Sequence, residues 1–283
     1  MMQVIFNADD FGRSPSINTA VLLAHQGGIL TSSSLMVTGS AMEQAVFMAR
    51  ENPSLAVGLH LVAAAGHSVL PHKDIPHLVN DQGRFLDDPI LAGLRYFFSR
   101  TIQRELTQEI TAQFERFGET GLPLSHIDGH LHIHVHPTIF KLVLSLAEQY
   151  GAHGLRLPRD DIRLALSYDS SRMGIKMLWA VVFGILCRWC SRQMKYHHLV
   201  STPNVYGLMQ SGRMHETYVI RLLNHLAVDS AEIYFHPDIE SRIDGLGPNH
   251  IDFETLMSSK VRQAAEERGF KLGTYRSLQR NCD

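Results

Sequence analysis

Five histidines and one carboxylate lie within a single short segment of the chain. They are His126, Asp128, His130, His132, His134 and His136. Alternate side chains of an extended strand share a face, so a strand that continued through this segment would point Asp128 and the four later histidines the same way. Neutral imidazole is the commonest protein ligand for metals, and adjacent imidazoles are hard to satisfy by hydrogen bonds alone. The segment therefore predicts a metal site.

Other reactive side chains follow predicted strands elsewhere in the chain. Asp9 and Asp10 end the first strand, His60 ends the third, and Arg156 and His236 end later ones. The carboxyl ends of parallel strands meet at one edge of a sheet, where active sites of α/β barrels are built. The convergence of these residues on one edge is more informative than any single motif.

Some of these residues can also be explained by a purely structural role. Asp-Asp-x-Gly is ordinary turn chemistry, and a single histidine such as His60 on an apolar strand is usually a satisfied core residue. The histidine run is different because four of its histidines alternate. Since one ion cannot bind all of them, some are expected to support the ligands or to donate protons.

Several other kinds of site are not indicated. The chain has no His-Glu-x-x-His, no dinucleotide-binding or P-loop glycine motif and no nucleophilic serine elbow. Cys187 and Cys190 have Cys-x-x-Cys spacing, but they end an apolar run, which favours packed thiols over a redox or zinc site.

Strands alternate with helical patterns along the chain, which predicts a parallel sheet covered by helices. The predicted strands are Val4–Ala8, Ser33–Val37, Leu55–Val62, Leu124–Asp128, Leu155–Leu157, Glu232–Phe235 and Lys271–Tyr275. This number of βα units favours an α/β fold of the TIM-like (β/α) barrel type, closed or in a distorted or incomplete form. We expect one domain over residues 1–283, with insertions after the third and fifth strands.

Composition limits the kinds of partner and the cellular compartment that we expect for the protein. The chain has 283 residues and a formal net charge of −2, so we expect no nucleic-acid partner. Its three cysteines form no spaced framework, and its first residues lack the basic region of a signal peptide. We therefore expect a cytoplasmic protein.

An apolar stretch at Met177–Cys187 carries a second signal. It is shorter than the roughly 20 residues that cross a bilayer, and basic residues flank it. A buried helix is slightly favoured; the alternative is a membrane-facing or lipid-binding lid with its basic residues toward headgroups, which would place the protein peripherally on the inner membrane.

Three motifs resemble those of the YdjC-like carbohydrate deacetylases. They are Asn7-Ala-Asp-Asp-Phe-Gly12, Gly58-Leu-His-Leu61 and His126-x-Asp-Gly-His-x-His-x-His134, followed later by His236-Pro237. The motifs span nearly the whole chain in the family's order, although many relatives have serine at Gly129. Ser201-Thr-Pro203, the segment 206–213 and Glu232-x-Tyr-Phe-His-Pro237 are similar to a narrower branch, the hopanoid-biosynthesis-associated deacetylases.

The resemblance implies a TIM-like barrel that removes an N-acetyl group from an amino sugar. By motif position, Asp10, His60 and His130 would bind a divalent metal, and Asp9 would be the catalytic base. Zn²⁺ or Mg²⁺ is expected first, and Mn²⁺, Co²⁺ and Ni²⁺ stay open. The branch implies a glycosylated hopanoid-type lipid as substrate.

The remaining roles are assigned from chemistry. His236 is the candidate acid for the departing amine, with His132 behind it. Arg156 and His134 are assigned to substrate binding, with a structural ion pair as the alternative for Arg156, and Asp128 is assigned to support of the ligands.

Other interpretations stay open at this point. The substrate could instead be a soluble chito-oligosaccharide, or the protein could bind metal without catalysis, as a sensor or storage module. A phosphoesterase is weaker because no second set of metal-binding carboxylates is evident. The expected partners are an N-acetylated sugar or glycolipid, a membrane surface in peripheral contact, and a second copy in a homodimer.

Overall fold

The computed structural model describes residues 2–240 and 247–279. The strands are β1 (Gln3–Phe11), β2 (Ser32–Leu35), β3 (Ala56–Leu61), β4 (His126–Gly129), β5 (Gly154–Leu155), β6 (Asn204–Tyr206), β7 (Ser230–Phe235) and β8 (Lys271–Leu272). The helices are α1 (Pro15–Gln26), α2 (Met42–Glu51), α3 (Pro89–Phe98), α4 (Arg100–Glu119), α5 (Pro137–Gln149), α6 (Ile162–Tyr168), α7 (Met173–Met194), α8 (Glu216–His225), α9 (His250–Met257) and α10 (Ser259–Glu267).

The strands form one parallel sheet in the order β5-β4-β3-β2-β1-β7-β6, and β8 pairs with the start of β1. β1 lies near the centre and is buried from Val4 to Phe11, which explains why its first part, Val4–Phe6, is a continuous apolar run rather than an alternating one. Among the described strands, no pairing joins β5 to β6. The α/β class is confirmed, and the sheet is a curled half-barrel rather than a closed one.

Several elements differ from the sequence expectation. The sequence pattern does not predict β6, α3 or α6. β6 and α6 are short, with three and seven residues, whereas α3 is an apolar helix of ten residues that begins directly after the polar connection. The connections after β3 and β5 carry two helices each, α3 with α4 and α6 with α7. That these connections are insertions in a barrel stays a prediction.

The histidine run does not continue as a strand, so the expectation that its side chains share one face is wrong. β4 ends at Gly129, opposite Leu61 at the end of β3, and beyond that point no neighbouring strand holds the chain extended. Residues 130–135 form 3₁₀ turns, with Leu131 and His132 in the left-handed region at φ 53° and 54°. The imidazoles therefore diverge from one another.

The apolar stretch Met177–Cys187 lies within α7, which is 22 residues long rather than 11. Among the described residues, α7 is the one helix long and apolar enough to cross a membrane by length and composition, which is weak evidence by itself. Cys187 and Cys190 are buried, but most of the other apolar side chains are exposed. The favoured interpretation as a buried helix is therefore wrong for most of its surface.

Candidate metal centre

Two neighbouring carboxylates end β1 and reach the same edge of the sheet. Alternation along a strand would send Asp9 and Asp10 to opposite faces, but Asp10 adopts a left-handed backbone with φ 65°. Aspartate tolerates this conformation better than most residues. The break in alternation brings both carboxylates to the carboxyl edge, and both are buried.

The three expected metal ligands lie together at this edge. Asp10 Oδ1 is 3.4 Å from His60 Nε2 and 3.2 Å from His130 Nδ1. One ligand atom from each residue lies within 4.8 Å of the others, so the three can face one ion. His60 comes from β3, and His130 from the first turn after β4.

The unpartnered atoms of this group match a metal site. Both Asp10 Oδ1 and His60 Nε2 are buried, and neither has a hydrogen-bond partner in the part of the chain that the structure describes. Leaving such atoms without a partner is costly, and a cation would satisfy both. One carboxylate and two imidazoles leave further coordination positions open, as hydrolytic metal sites do. The residues therefore fit a divalent ion.

Asp128 orients one of these ligands. Its Oδ1 accepts a 2.7 Å hydrogen bond from His60 Nδ1, which leaves Nε2 of that ring directed at Asp10 and free for an ion. A carboxylate behind a ligating imidazole sets its tautomer and raises its basicity. This is the supporting position expected for Asp128.

Burial and these contacts together shift the pKa values of Asp10 and His60. Burial by itself would raise the pKa of Asp10, but the charges of His130 and His60 outweigh it and hold that pKa well below the usual value. Burial opposes the charge of His60, yet Asp128, with Asp9 and Asp10 nearby, raises the pKa of that imidazole to about 9.

Metal binding by the metal-free protein is therefore expected to release a proton. With a pKa raised to about 9, the His60 ring of the metal-free protein is expected to carry a proton at pH 7, which a metal would displace to reach Nε2. Apparent affinity should rise by roughly tenfold per pH unit and level off near the pKa of about 9. Titration calorimetry in buffers of different ionisation enthalpy would count the protons released.

Asp128→Asn provides the matched control for this experiment. It removes the charge that raises the pKa of His60, so fewer protons should be released at pH 7. An affinity that stays constant between pH 6.5 and 8.5 in the unaltered protein would contradict the expected displacement of a proton from His60.

Arg156 lies beneath the site and joins three carboxylates. Its guanidinium donates to both oxygens of Asp9, at 2.7 and 2.8 Å, and to Glu232 at 2.6 Å, and it contacts Asp128 at 2.8 Å. The side chain is 0% exposed, so it cannot reach a substrate. The packing favours the ion-pair alternative over substrate binding, and it makes Arg156 a positioning residue for Asp9.

His134 is also enclosed. It is 0% exposed and its Nε2 bonds the backbone oxygen of Arg156 at 2.9 Å, so a substrate contact does not fit its position. Burial lowers its pKa to about 4 and keeps the ring neutral. His134 instead holds the turn after β4 against the chain after β5.

His132 and His236 are linked through a tyrosine that the sequence argument missed. His132 Nε2 bonds the Tyr234 hydroxyl at 3.0 Å, and the Tyr234 ring packs edge-on against His236 at 5.6 Å. Burial, assisted by the charge of Arg156, holds the pKa of His132 well below its usual value. A ring that stays neutral and enclosed is a poor direct acid, so His132 fits a place behind His236.

His236 lies at the opening of the site. Its side chain is 14% exposed, similar to the 13% of His130, and its Nε2 is 3.9 Å from Asp9 Oδ2. It is therefore placed to meet a substrate that also meets the metal ligands.

Other buried polar residues were not singled out from the sequence. Asn7 donates to Asp9 at 2.9 Å and to Ser34 at 2.8 Å, and Ser34 donates to Asp128 at 2.6 Å. Glu232 accepts from Arg156 and from Tyr275. Alternation would have found Glu232 and Tyr234, since both share a face of β7 that leads to His236. Alternation would also have found Asn7, which stands two residues before Asp9 in the first motif, whereas no comparable signal marks Ser34.

Fold and site together define an α/β protein with a candidate metal site of one carboxylate and two imidazoles at the carboxyl edge of a parallel sheet. A family model described as YdjC-like protein matches residues 3–267, so the chain belongs to the YdjC-like protein family.

Several similar proteins share the name carbohydrate deacetylase. The chain is 43% identical over 149 residues to a carbohydrate deacetylase of Brevibacillus brevis strain 47, which covers 53% of this chain and 57% of that protein. The match to a carbohydrate deacetylase of Geobacillus stearothermophilus, at 41% identity, covers 57% of this chain and 60% of that protein. A carbohydrate deacetylase of Clostridium beijerinckii is 29% identical over 98% of this chain and its own full length.

A solved structure extends the similarity to the whole fold. A protein of Enterococcus faecalis V583 named for cellobiose-phosphate cleavage is similar over 99% of both chains, with a TM-score of 0.76 and 25% identity. The curled sheet and its helices are therefore shared with that protein.

Proposed function

We propose that this protein is a metal-dependent carbohydrate deacetylase, which hydrolyses the N-acetyl group of an amino sugar. The observation that carries the proposal is the pairing of a three-residue metal-binding group with a neighbouring carboxylate that is not part of it. Asp10, His60 and His130 form the group, and Asp9 lies beside it, within 4.8 Å of His60 and Asp128 at its nearest atoms. The shared name of the relatives supports the same reaction.

The bound ion, when held by Asp10, His60 and His130, would lower the pKa of water and polarise the acyl carbonyl. Asp9 would accept the proton of the attacking water, because Arg156 and Asn7 hold its carboxylate in place at the edge of the site. As the C–N bond breaks, the departing amine takes a proton from His236, and acetate is the other product. Tyr234 and His132 would keep the His236 ring oriented.

We further propose a glycosylated hopanoid-type lipid as the substrate, which a cytoplasmic enzyme would meet at the inner membrane. The exposed apolar side chains of α7 support a lipid over a soluble sugar. A homodimer stays a prediction.

Acetate release with and without metal tests the proposal. The chain is stripped with a chelator, reloaded with Zn²⁺ or Mg²⁺, and assayed on an N-acetylglucosaminyl lipid in detergent and on diacetylchitobiose. We expect metal-dependent acetate from both, with kcat/KM higher for the lipid by tenfold or more. A preference for diacetylchitobiose would support the soluble-substrate alternative. Tight metal binding with no acetate from either would support a metal-binding protein without catalysis.

A further inference from the structure

Exposed large apolar side chains concentrate on two helices. Of the twenty in the described residues, five lie on α3 and seven on α7. They include Phe97 and Phe98 on α3, and Val181 and Ile185 on α7. Scattered exposed apolar residues are normal, whereas clusters of this kind mark a surface that another apolar phase covers.

The two helices flank the same segment at the opening of the metal site. The Phe97 ring lies 6.3 Å from His136 at one end of the histidine run, and Phe183 of α7 lies 5.6 Å from His132. In the same segment, Leu131 is exposed directly after the candidate ligand His130. We call the exposed apolar residues of α3 and α7, with Leu131, the rim surface.

The charges near α7 indicate what kind of apolar phase covers this surface. No aspartate or glutamate occurs from Ser170 to His215, while Arg172, Arg188, Arg192 and Lys195 in this stretch are all exposed. An exposed apolar helix with basic residues along it and at its ends is complementary to an anionic lipid surface.

A cavity beside α7 also combines basic and apolar residues. It has a volume of about 470 Å³, and Arg188, Arg192 and Lys195 line it together with apolar Leu208 and Met209. Asp160, its one acidic residue, is engaged by the backbone N–H groups of Gly207 and Met209. The cavity therefore offers cations and apolar walls to a headgroup and the start of its chains.

We propose that the rim surface docks on an anionic phospholipid bilayer and brings the opening of the metal site to the headgroups. α7 lies along the bilayer rather than across it, because Lys176, Cys187, Cys190 and Met194 are buried against the rest of the protein. Docking explains how the opening of the site reaches a lipid-borne sugar. It rests on the proposed function only for that purpose, since docking itself requires no turnover.

Vesicle cosedimentation of the full chain tests docking. The probes are vesicles of phosphatidylcholine alone and of phosphatidylcholine with phosphatidylglycerol. We expect binding to the anionic vesicles, weaker binding to the neutral ones, and loss of binding as salt screens the charges. Ile185→Glu and Phe98→Glu should each reduce partitioning into the vesicles by about tenfold or more, because each replaces an apolar side chain that would enter the bilayer by a charged one. Arg188→Gln combined with Arg192→Gln should reduce binding to the anionic vesicles selectively.

Phe47→Glu is the matched control. Phe47 lies on α2, outside the rim surface, and is 66% exposed, the same fraction as Ile185. It should bind vesicles like the unaltered chain. Thermal unfolding checks that every variant folds, and acetate release from diacetylchitobiose should be unchanged in Ile185→Glu.

Three results would overturn the proposal. The first is absence of binding to anionic vesicles by the unaltered chain, and the second is equal binding by Ile185→Glu and Phe47→Glu. The third is a dimer in light scattering that Ile185→Glu converts to a monomer without any vesicle binding, which would assign the rim surface to a second copy. Failure of the proposed function looks different, because the chain would then bind vesicles but release no acetate.

Discussion

Asp9→Asn is expected to lower kcat for acetate release by roughly 10²- to 10⁴-fold while metal still binds. Asparagine keeps the shape of the side chain and its contact with Asn7, but it cannot accept the proton of the attacking water. The candidate metal ligands Asp10, His60 and His130 are untouched. Metal content and acetate release, measured on the same sample, separate loss of the base from loss of the ion.

Asp10→Asn is the matched comparison, because the same change at the next residue should lower both metal affinity and turnover. Asp9→Asn also removes one carboxylate from Arg156, so its unfolding should be measured in parallel. Turnover within a few-fold of the unaltered protein would rule out Asp9 as the base. A similar loss of metal in both variants would make Asp9 a ligand instead.

Arg156→Met is expected to lower the free energy of unfolding by about 3–5 kcal/mol. The methionine fills much of the volume but leaves Asp9, Asp128 and Glu232 close together without their shared cation. Burial opposes the charge of Arg156, yet these three carboxylates outweigh it and raise its pKa well above the usual value. Urea unfolding at neutral pH measures the change.

Two further variants make this prediction specific. Arg156→Lys should recover part of the loss, since an ammonium supplies the charge but not the two-pronged hydrogen bonds to Asp9. Arg104→Met, an exposed change on α4, should alter stability by less than about 0.5 kcal/mol. A small effect of Arg156→Met on the free energy of unfolding would mean that the carboxylates become protonated, so that loss of the cation no longer leaves unpaired negative charges.

The elements that could be predicted are those with strong local patterns. β1, β3 and β7 each contain a short run rich in apolar residues, and they occur within a few residues of their predicted bounds. β6 and α6 are too short to produce a periodic pattern. The course of residues 130–135 depends on the absence of a neighbouring strand beyond Gly129, which no local pattern records.

By itself, the sequence determined the chemistry that is available: paired carboxylates and histidines at predicted strand ends, in the order of the YdjC-like motifs. Only the tertiary structure decided which of them meet. The histidine run supplies one member of the candidate metal site, His130, while its other rings turn to Ser34, Tyr234, Arg156 and Thr138. The physical reason is that side-chain direction after a strand end is set by packing against distant segments, as it is for Arg156, whose partners lie on three other strands.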